Sequence, residues 1–150
     1  MNTSTFLDVL DRAKSLIEGS ADLQAFCLAK WNRTLAVEIG YRARREIAFS
    51  ELPLALLTRP QVTERERVRV GREGRHTIRI YAGFTQSDAA AGVRELVEFE
   101  EKIEDALTEN NPFKDLALEA EVGESVNDEG TQPPAYFLVM QIHVLYRRNT

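Results

Sequence analysis

The sequence has few of the residues on which most catalytic and metal chemistry depends. Its 150 residues include one cysteine, Cys27, and two histidines, His76 and His143. One cysteine cannot form an internal disulfide, and two histidines without ligand partners at useful spacing do not indicate a metal site. Cys27 lies on the apolar stripe of a predicted helix, which is typical of a small buried side chain. We therefore expect no catalytic residue, no metal and no cofactor.

Long hydrophobic runs are also missing. The longest, residues 135–140, has six residues, whereas a membrane span needs about 20. Residues 1–20 resemble a charged amphipathic helix and not a secretion signal. The composition, 43% apolar and 29% charged, is that of an ordinary globular protein. We expect one domain over residues 1–150, made in the cytoplasm and without a membrane partner.

The charge is unevenly distributed along the chain. The net charge of −5 divides into +4 over residues 1–86, −11 over 87–130 and +2 over 131–150. This division predicts one basic and one acidic surface, which suits head-to-tail contact between copies of the chain. The alternative is an acidic helix that is simply exposed to solvent.

Two helices are predicted at the start of the chain. Apolar residues recur at three- and four-residue spacing from Thr5 to Glu18, and Gly19 is placed to end the helix. Ser20 can cap a second helix. The apolar stripe of that helix comprises Leu23, Phe26, Cys27 and Trp31.

Period-two alternation then predicts strands near residues 35–41, 54–59, 62–70, 75–84 and 135–146, with 116–122 as a further candidate. The run from Leu54 to Leu57 is apolar throughout, which predicts a strand covered on both sides. A hairpin is expected around residues 71–74. An odd loop would place Val68 and Val70 on the buried face with Ile78 and Ile80.

That hairpin register predicts a basic outer face. Its members are Arg65, Arg67, Arg69, Thr77, Arg79 and Tyr81. Like charges so close together repel unless acidic groups lie against them.

A long helix is predicted from residue 88 to 110, capped by Ser87 or Asp88. The residues expected to face inward are Val93, Leu96, Val97, Ile103, Ala106 and Leu107. The residues expected to face outward are Glu95, Glu98, Glu101, Glu104 and Asp105. The elements together predict an α+β domain, a mostly antiparallel sheet packed by the long helix and the N-terminal helical pair.

Two other classes of function remain open on the residues alone. Glu64 and Glu66 could bind a divalent ion in a nuclease-like site, although alternating Glu and Arg are also typical of a charged edge strand. The arginine face could bind nucleic-acid phosphates. The pI of about 5.2 and the scarcity of interleaved aromatic residues count against a dedicated nucleic-acid binder.

The order of the elements resembles the tail terminator, or tail-completion, proteins of long-tailed bacteriophages. The similarity lies in the segment Glu51–Leu57, in the charged hairpin ending in the segment Ile78–Gly83, and in the acidic helix after Ser87. It is a similarity of layout over most of the chain and includes no catalytic signature.

The resemblance implies a structural virion-assembly protein that forms a ring, expected to be hexameric. Such a ring caps the tail tube, stops its polymerisation and joins it to the head connector protein, with DNA passing through the lumen without sequence recognition. The implied location is the head-proximal end of the virion tail, after assembly in the host cytoplasm. A head-to-tail connector subunit is the related alternative. The interface is expected to involve the arginines of the outer face with Tyr81 and the carboxylates of the long helix.

Overall fold

In the part of the chain that the structure describes, three helices lie on one side of a five-stranded sheet. The structure is a computed structural model and describes residues 5–68, 71–110, 112–113, 116–117, 119–131 and 133–149. The predicted α+β class is confirmed, with one compact domain and a mostly antiparallel sheet.

The N-terminal helical pair forms as its caps predict. Helix α1 spans Phe6–Glu18, and the carboxylate of Asp8 accepts a hydrogen bond from the amide of Thr5 at 2.9 Å. Helix α2 spans Ala21–Trp31, and the hydroxyl of Ser20 accepts a hydrogen bond from the amide of Leu23 at 3.3 Å. These bonds satisfy amide groups that the first turn of a helix leaves unpaired.

Five strands form one sheet in the order β1-β2-β3-β5-β4. Their bounds are Ala36–Ile39 (β1), Leu54–Val68 (β2), Gly71–Thr85 (β3), Glu119–Asn127 (β4) and Ala135–Asn149 (β5). Strand β1 pairs with β2 in parallel, and the other neighbours are antiparallel. Two 3-10 turns, Arg44–Glu46 and Phe49–Glu51, lie between β1 and β2.

The predicted division of residues 54–70 into two strands is wrong. Strand β2 continues through Pro60, because the ladder with β3 shifts register between Thr58 and Gln61. A bulge tolerates proline, since no ladder hydrogen bond is needed from its nitrogen. A second register shift lies between Thr63 and Glu66.

The predicted position of the hairpin turn is also wrong. Val68 pairs with Gly71, so residues 71–74 belong to β3 and the connection contains two residues instead of an odd number. Each bulge in β2 shifts the register by one, which removes the basis of the parity argument. Ile78 and Ile80 are buried as expected. The side chain of Val68, and Val70 as a whole, lie outside the described residues.

Helix α3 spans Ala89–Thr108 and begins at the predicted cap, where the carboxylate of Asp88 accepts a hydrogen bond from the amide of Ala90 at 3.3 Å. Its inward face is rotated from the predicted one. The buried residues are Gly92, Glu95, Leu96, Phe99, Ile103 and Leu107. Val93 and Val97, predicted to be buried, are 55% and 52% exposed. They lie about 100° around the helix from Gly92 and Leu96, which form the packed row.

The two sides of the sheet have different coverings. The core face packs against all three helices. Its central strand residues include Ala55, Leu57, Ile78, Ile80, Phe84, Leu138, Met140 and Ile142. The outer face carries a smaller cluster formed by Leu52, Leu54, Leu56, Ala135 and Phe137, with Ile47 and Tyr81 packed against it. The prediction that residues 54–57 are covered on both sides is confirmed.

Strand β5 pairs with β3 along its whole length, from Ala135 opposite Thr85 to Asn149 opposite Gly71. Strand β4 covers the other edge of β5 from Leu138 to Leu145. Leu138, Met140, Ile142, Val144 and Tyr146 are buried in the core. The apolar side chains on the core-facing side of this long strand therefore pack within the domain.

Candidate functional site

Part of the predicted basic surface falls within the described residues, on the outer face of β3. Arg79 and Tyr81 lie on the side of the sheet away from the helices, and Arg79 donates a hydrogen bond to the hydroxyl of Tyr81 at 3.4 Å. Arg65 and Arg67 belong to β2, but their side chains lie outside the described part. Arg69 lies outside the described residues altogether.

Carboxylates of the same chain already neutralise two cations of this face. Arg75 pairs with Glu121 of β4 at 2.5 Å, and Arg147 pairs with Glu73 at 2.7 Å. Glu73 lies directly opposite Arg147 in the β3–β5 ladder. The sequence spacing did not reveal these pairs, because only the strand order brings β4 and β5 beside β3.

The acidic side of the molecule lies on α3, on the opposite side of the sheet. Glu98, Glu101 and Asp105 are exposed and Glu104 is half-buried. Burial and the neighbouring carboxylates of Glu104 and Glu101 raise the pKa of Glu100. Burial is the larger cause, and repulsion from the two neighbouring carboxylates adds to it.

Glu95 does not belong to the acidic surface, contrary to the prediction. It is only 3% exposed, and its carboxylate accepts hydrogen bonds from the indole nitrogen of Trp31 at 3.0 Å and from the side-chain amide of Gln86 at 2.7 Å. Trp31 belongs to α2, and Gln86 follows directly after β3. The helical position of Glu95 beside Leu96 and Phe99 was the available signal for its burial.

An apolar pocket of about 210 Å³ opens on the outer face at the end where the segment after β1 folds over the sheet. Tyr41 and Tyr81 meet there with their ring centroids 4.9 Å apart. The remaining lining residues are Arg42, Ile47, Leu52, Leu54, Leu56, Ala82, Gly83, Phe137, Leu138 and Val139. Sequence reasoning missed this pocket, although the run of residues 54–57 already required a second apolar covering.

A short ionic network fixes the segment beside the pocket. Arg42 pairs with Glu51 at 2.9 Å and lies 3.5 Å from a carboxylate oxygen of Glu38. The hydrogen bond from the amide of Ala48 and the bond from Arg42 lower the pKa of Glu51. The network holds one side of the pocket in place across the open outer face.

Three side chains considered for catalysis, Cys27, His76 and His143, pack within the fold, and the side chains of Glu64 and Glu66 lie outside the described part. Cys27 is fully buried, and burial raises its pKa to about 12, which confirms its assignment as a small core side chain. His76 stacks on Phe6 with centroids 4.3 Å apart. The Nδ1 atom of His143 lies 3.1 Å from the hydroxyl of Thr77. Within the described ranges, no three His, Cys, Asp or Glu side chains are grouped as a metal site requires.

The comparisons with known proteins add no family. No family model matches the chain, and no curated protein matches its sequence. None of the helices in the described part of the chain has the length and apolar character needed to cross a membrane.

Proposed function

We propose that this chain is a structural subunit of a bacteriophage tail, resembling the tail terminators, that assembles into a closed ring. The ring caps the tail tube, ends its polymerisation and offers a surface to the head connector protein. One observation carries the proposal: the cation Arg79 of the outer face and the acidic side of α3 lie on opposite sides of the sheet in a single small domain.

Opposite charges on opposite sides favour a heterologous contact, in which one surface of a subunit meets a different surface of the next. Such a contact closes into a ring when each step rotates by a fixed fraction of a turn. Each exposed ion pair contributes only about 0–1 kcal/mol. The charges therefore set orientation and encounter rate, and apolar contacts must supply most of the affinity.

The proposal is tested by native mass spectrometry and negative-stain imaging of the purified protein, alone and mixed with tail tubes. We expect a closed ring and tubes of uniform final length. A protein that stays monomeric with and without tubes, and leaves the tubes growing, contradicts the proposal.

Charge reversal tests the arrangement of the two surfaces. Arg79→Glu is expected to slow ring formation, and Glu101→Arg in the same chain is expected to restore part of the rate. Lys30→Glu, an equal charge change on exposed α2, is the matched control and is expected to leave assembly unchanged. Ring formation by Arg79→Glu at the wild-type rate in low salt contradicts a role for this cation in the contact.

A further inference from the structure

Helix α3 carries an apolar strip on its otherwise charged exposed side. Val93 and Val97 are 55% and 52% exposed. They are four residues apart and therefore lie on the same side of the helix, and Glu101 continues the same row. The row presents two apolar side chains followed by one carboxylate.

A row of matching character runs along β3 on the outer face. Gly83 and Tyr81 line the apolar pocket, the ring of Phe137 covers the outer side of Gly83, and Arg79 follows beyond the pocket. Alternate residues of a strand share one face, so these three point to the same side. The row presents an apolar cavity, an aromatic ring and then a cation.

The spacings of the two rows agree. Successive members of the helical row are four residues apart, or about 6 Å along the axis. Successive members of the strand row are two residues apart, or about 6.8 Å. If Val93 enters the pocket against the ring of Phe137, which covers Gly83, then Val97 lies at Tyr81 and Glu101 at Arg79.

We propose that the row Val93–Val97–Glu101 of one copy docks on the row Gly83–Tyr81–Arg79 of the next copy, with the side chain of Val93 entering the pocket. This inference rests on the proposed ring and names its subunit contact. The occupant is a second copy because the order of apolar and charged groups is complementary within this one chain. In the described part of the chain, the hydroxyl of Tyr81 is the polar contact of Arg79, so the guanidinium still has donors for a carboxylate.

The two rows lie on opposite sides of the sheet, so one subunit can form the same contact with each of two neighbouring copies. A subunit that uses its helix toward one neighbour still presents its pocket to another. The contact thus adds subunits in one direction and does not stop at a two-fold dimer, and it forms the proposed ring when the rotation from one subunit to the next closes.

Cysteine cross-linking tests the contact directly. The variants Val97→Cys and Tyr81→Cys are mixed and oxidised with oxidised glutathione, and covalent dimers are expected. The double variant in one chain is expected to give a ladder of covalent oligomers. Leu28→Cys, which is equally exposed at 52% but lies on α2, replaces Val97→Cys as the matched control and is expected to give no dimer with Tyr81→Cys. The native Cys27 is fully buried and does not compete.

A substitution without cross-linking gives a second measurement. Val97→Asp is expected to raise the dissociation constant of the ring by at least about tenfold, with Leu28→Asp unchanged. Circular dichroism and thermal unfolding establish that both variants are folded. Normal ring formation by Val97→Asp contradicts this contact, and so does cross-linking of Leu28→Cys to Tyr81→Cys as frequent as that of Val97→Cys. Either result leaves the proposed ring itself standing. A wild-type protein that never forms rings overturns the proposed function itself.

Discussion

The same strands form both faces of the sheet, but one face is covered by helices and the other is partly open to solvent. On the core face, Ile80, Phe84 and Met140 are fully buried beneath three helices. On the outer face, an open pocket occupies one end and ion pairs such as Arg75–Glu121 lie along the rest. Because side chains alternate along a strand, every residue added for the core places a neighbour on the outer face. The larger buried cluster therefore lies on the core face, and the outer face is partly open to solvent.

The difference is energetic as well as geometric. A side chain removed from the core face leaves a cavity that the helices cannot fill by moving slightly. A side chain removed from the outer face enlarges a pocket that solvent already reaches. The cost of truncation depends on how well the site can collapse or hydrate.

The largest expected effect follows from truncating one aromatic ring on each face. Phe84 stacks on Trp31 with centroids 4.3 Å apart and is fully buried. Phe84→Ala is expected to lower the free energy of unfolding by about 3–5 kcal/mol. Phe137→Ala, which opens into the pocket, is expected to lower it by clearly less. Urea unfolding followed by circular dichroism measures both, and equal losses would break the distinction between the faces.

A smaller effect is expected at the buried carboxylate of α3. Glu95→Ala leaves the indole N–H of Trp31 and the amide of Gln86 without their acceptor, at a cost of about 1–3 kcal/mol. Glu98→Ala, an exposed position on the same helix, is the matched control and is expected to change stability by less than about 0.5 kcal/mol. Chemical denaturation of the two variants measures the difference. Similar losses for both would mean that Glu95 acts as a surface residue.

The smallest effect concerns the ionic network beside the pocket and depends on pH. The folded pKa of Glu51 is lowered from its ordinary value of 4.5, so its contribution to stability is present above that value and is lost as the pH falls through the folded pKa. Glu51→Gln is expected to lower the melting temperature slightly at neutral pH and to match the wild type well below about pH 4. Thermal unfolding across pH checks this. A deficit that grows toward acid would contradict it.

Much of the architecture followed from local patterns. The caps at Ser20 and Asp88 begin helices where expected, and the apolar run from Leu54 to Leu57 lies inside the sheet. Capping hydrogen bonds and side-chain periodicity involve residues that are close together in the chain, so the sequence alone predicts them. The sequence pattern predicted the surfaces of α3 less accurately, since Glu95 is buried and Val93 and Val97 are exposed. A helix with apolar residues on more than half its circumference does not specify which row packs.

By itself, the sequence determined the α+β class, the helical pair, the long acidic helix and the separation of basic from acidic segments. Tertiary structure alone decided the register of the β2–β3 hairpin, because two bulges shift the pairing by one residue each and leave no periodic signal in the sequence. It also decided which side of α3 is acidic, since Glu95 is buried and its carboxylate accepts a hydrogen bond from the indole of Trp31. The pocket beside Tyr41 and Tyr81 exists only when a distant segment folds over the sheet, and no local pattern encodes that contact.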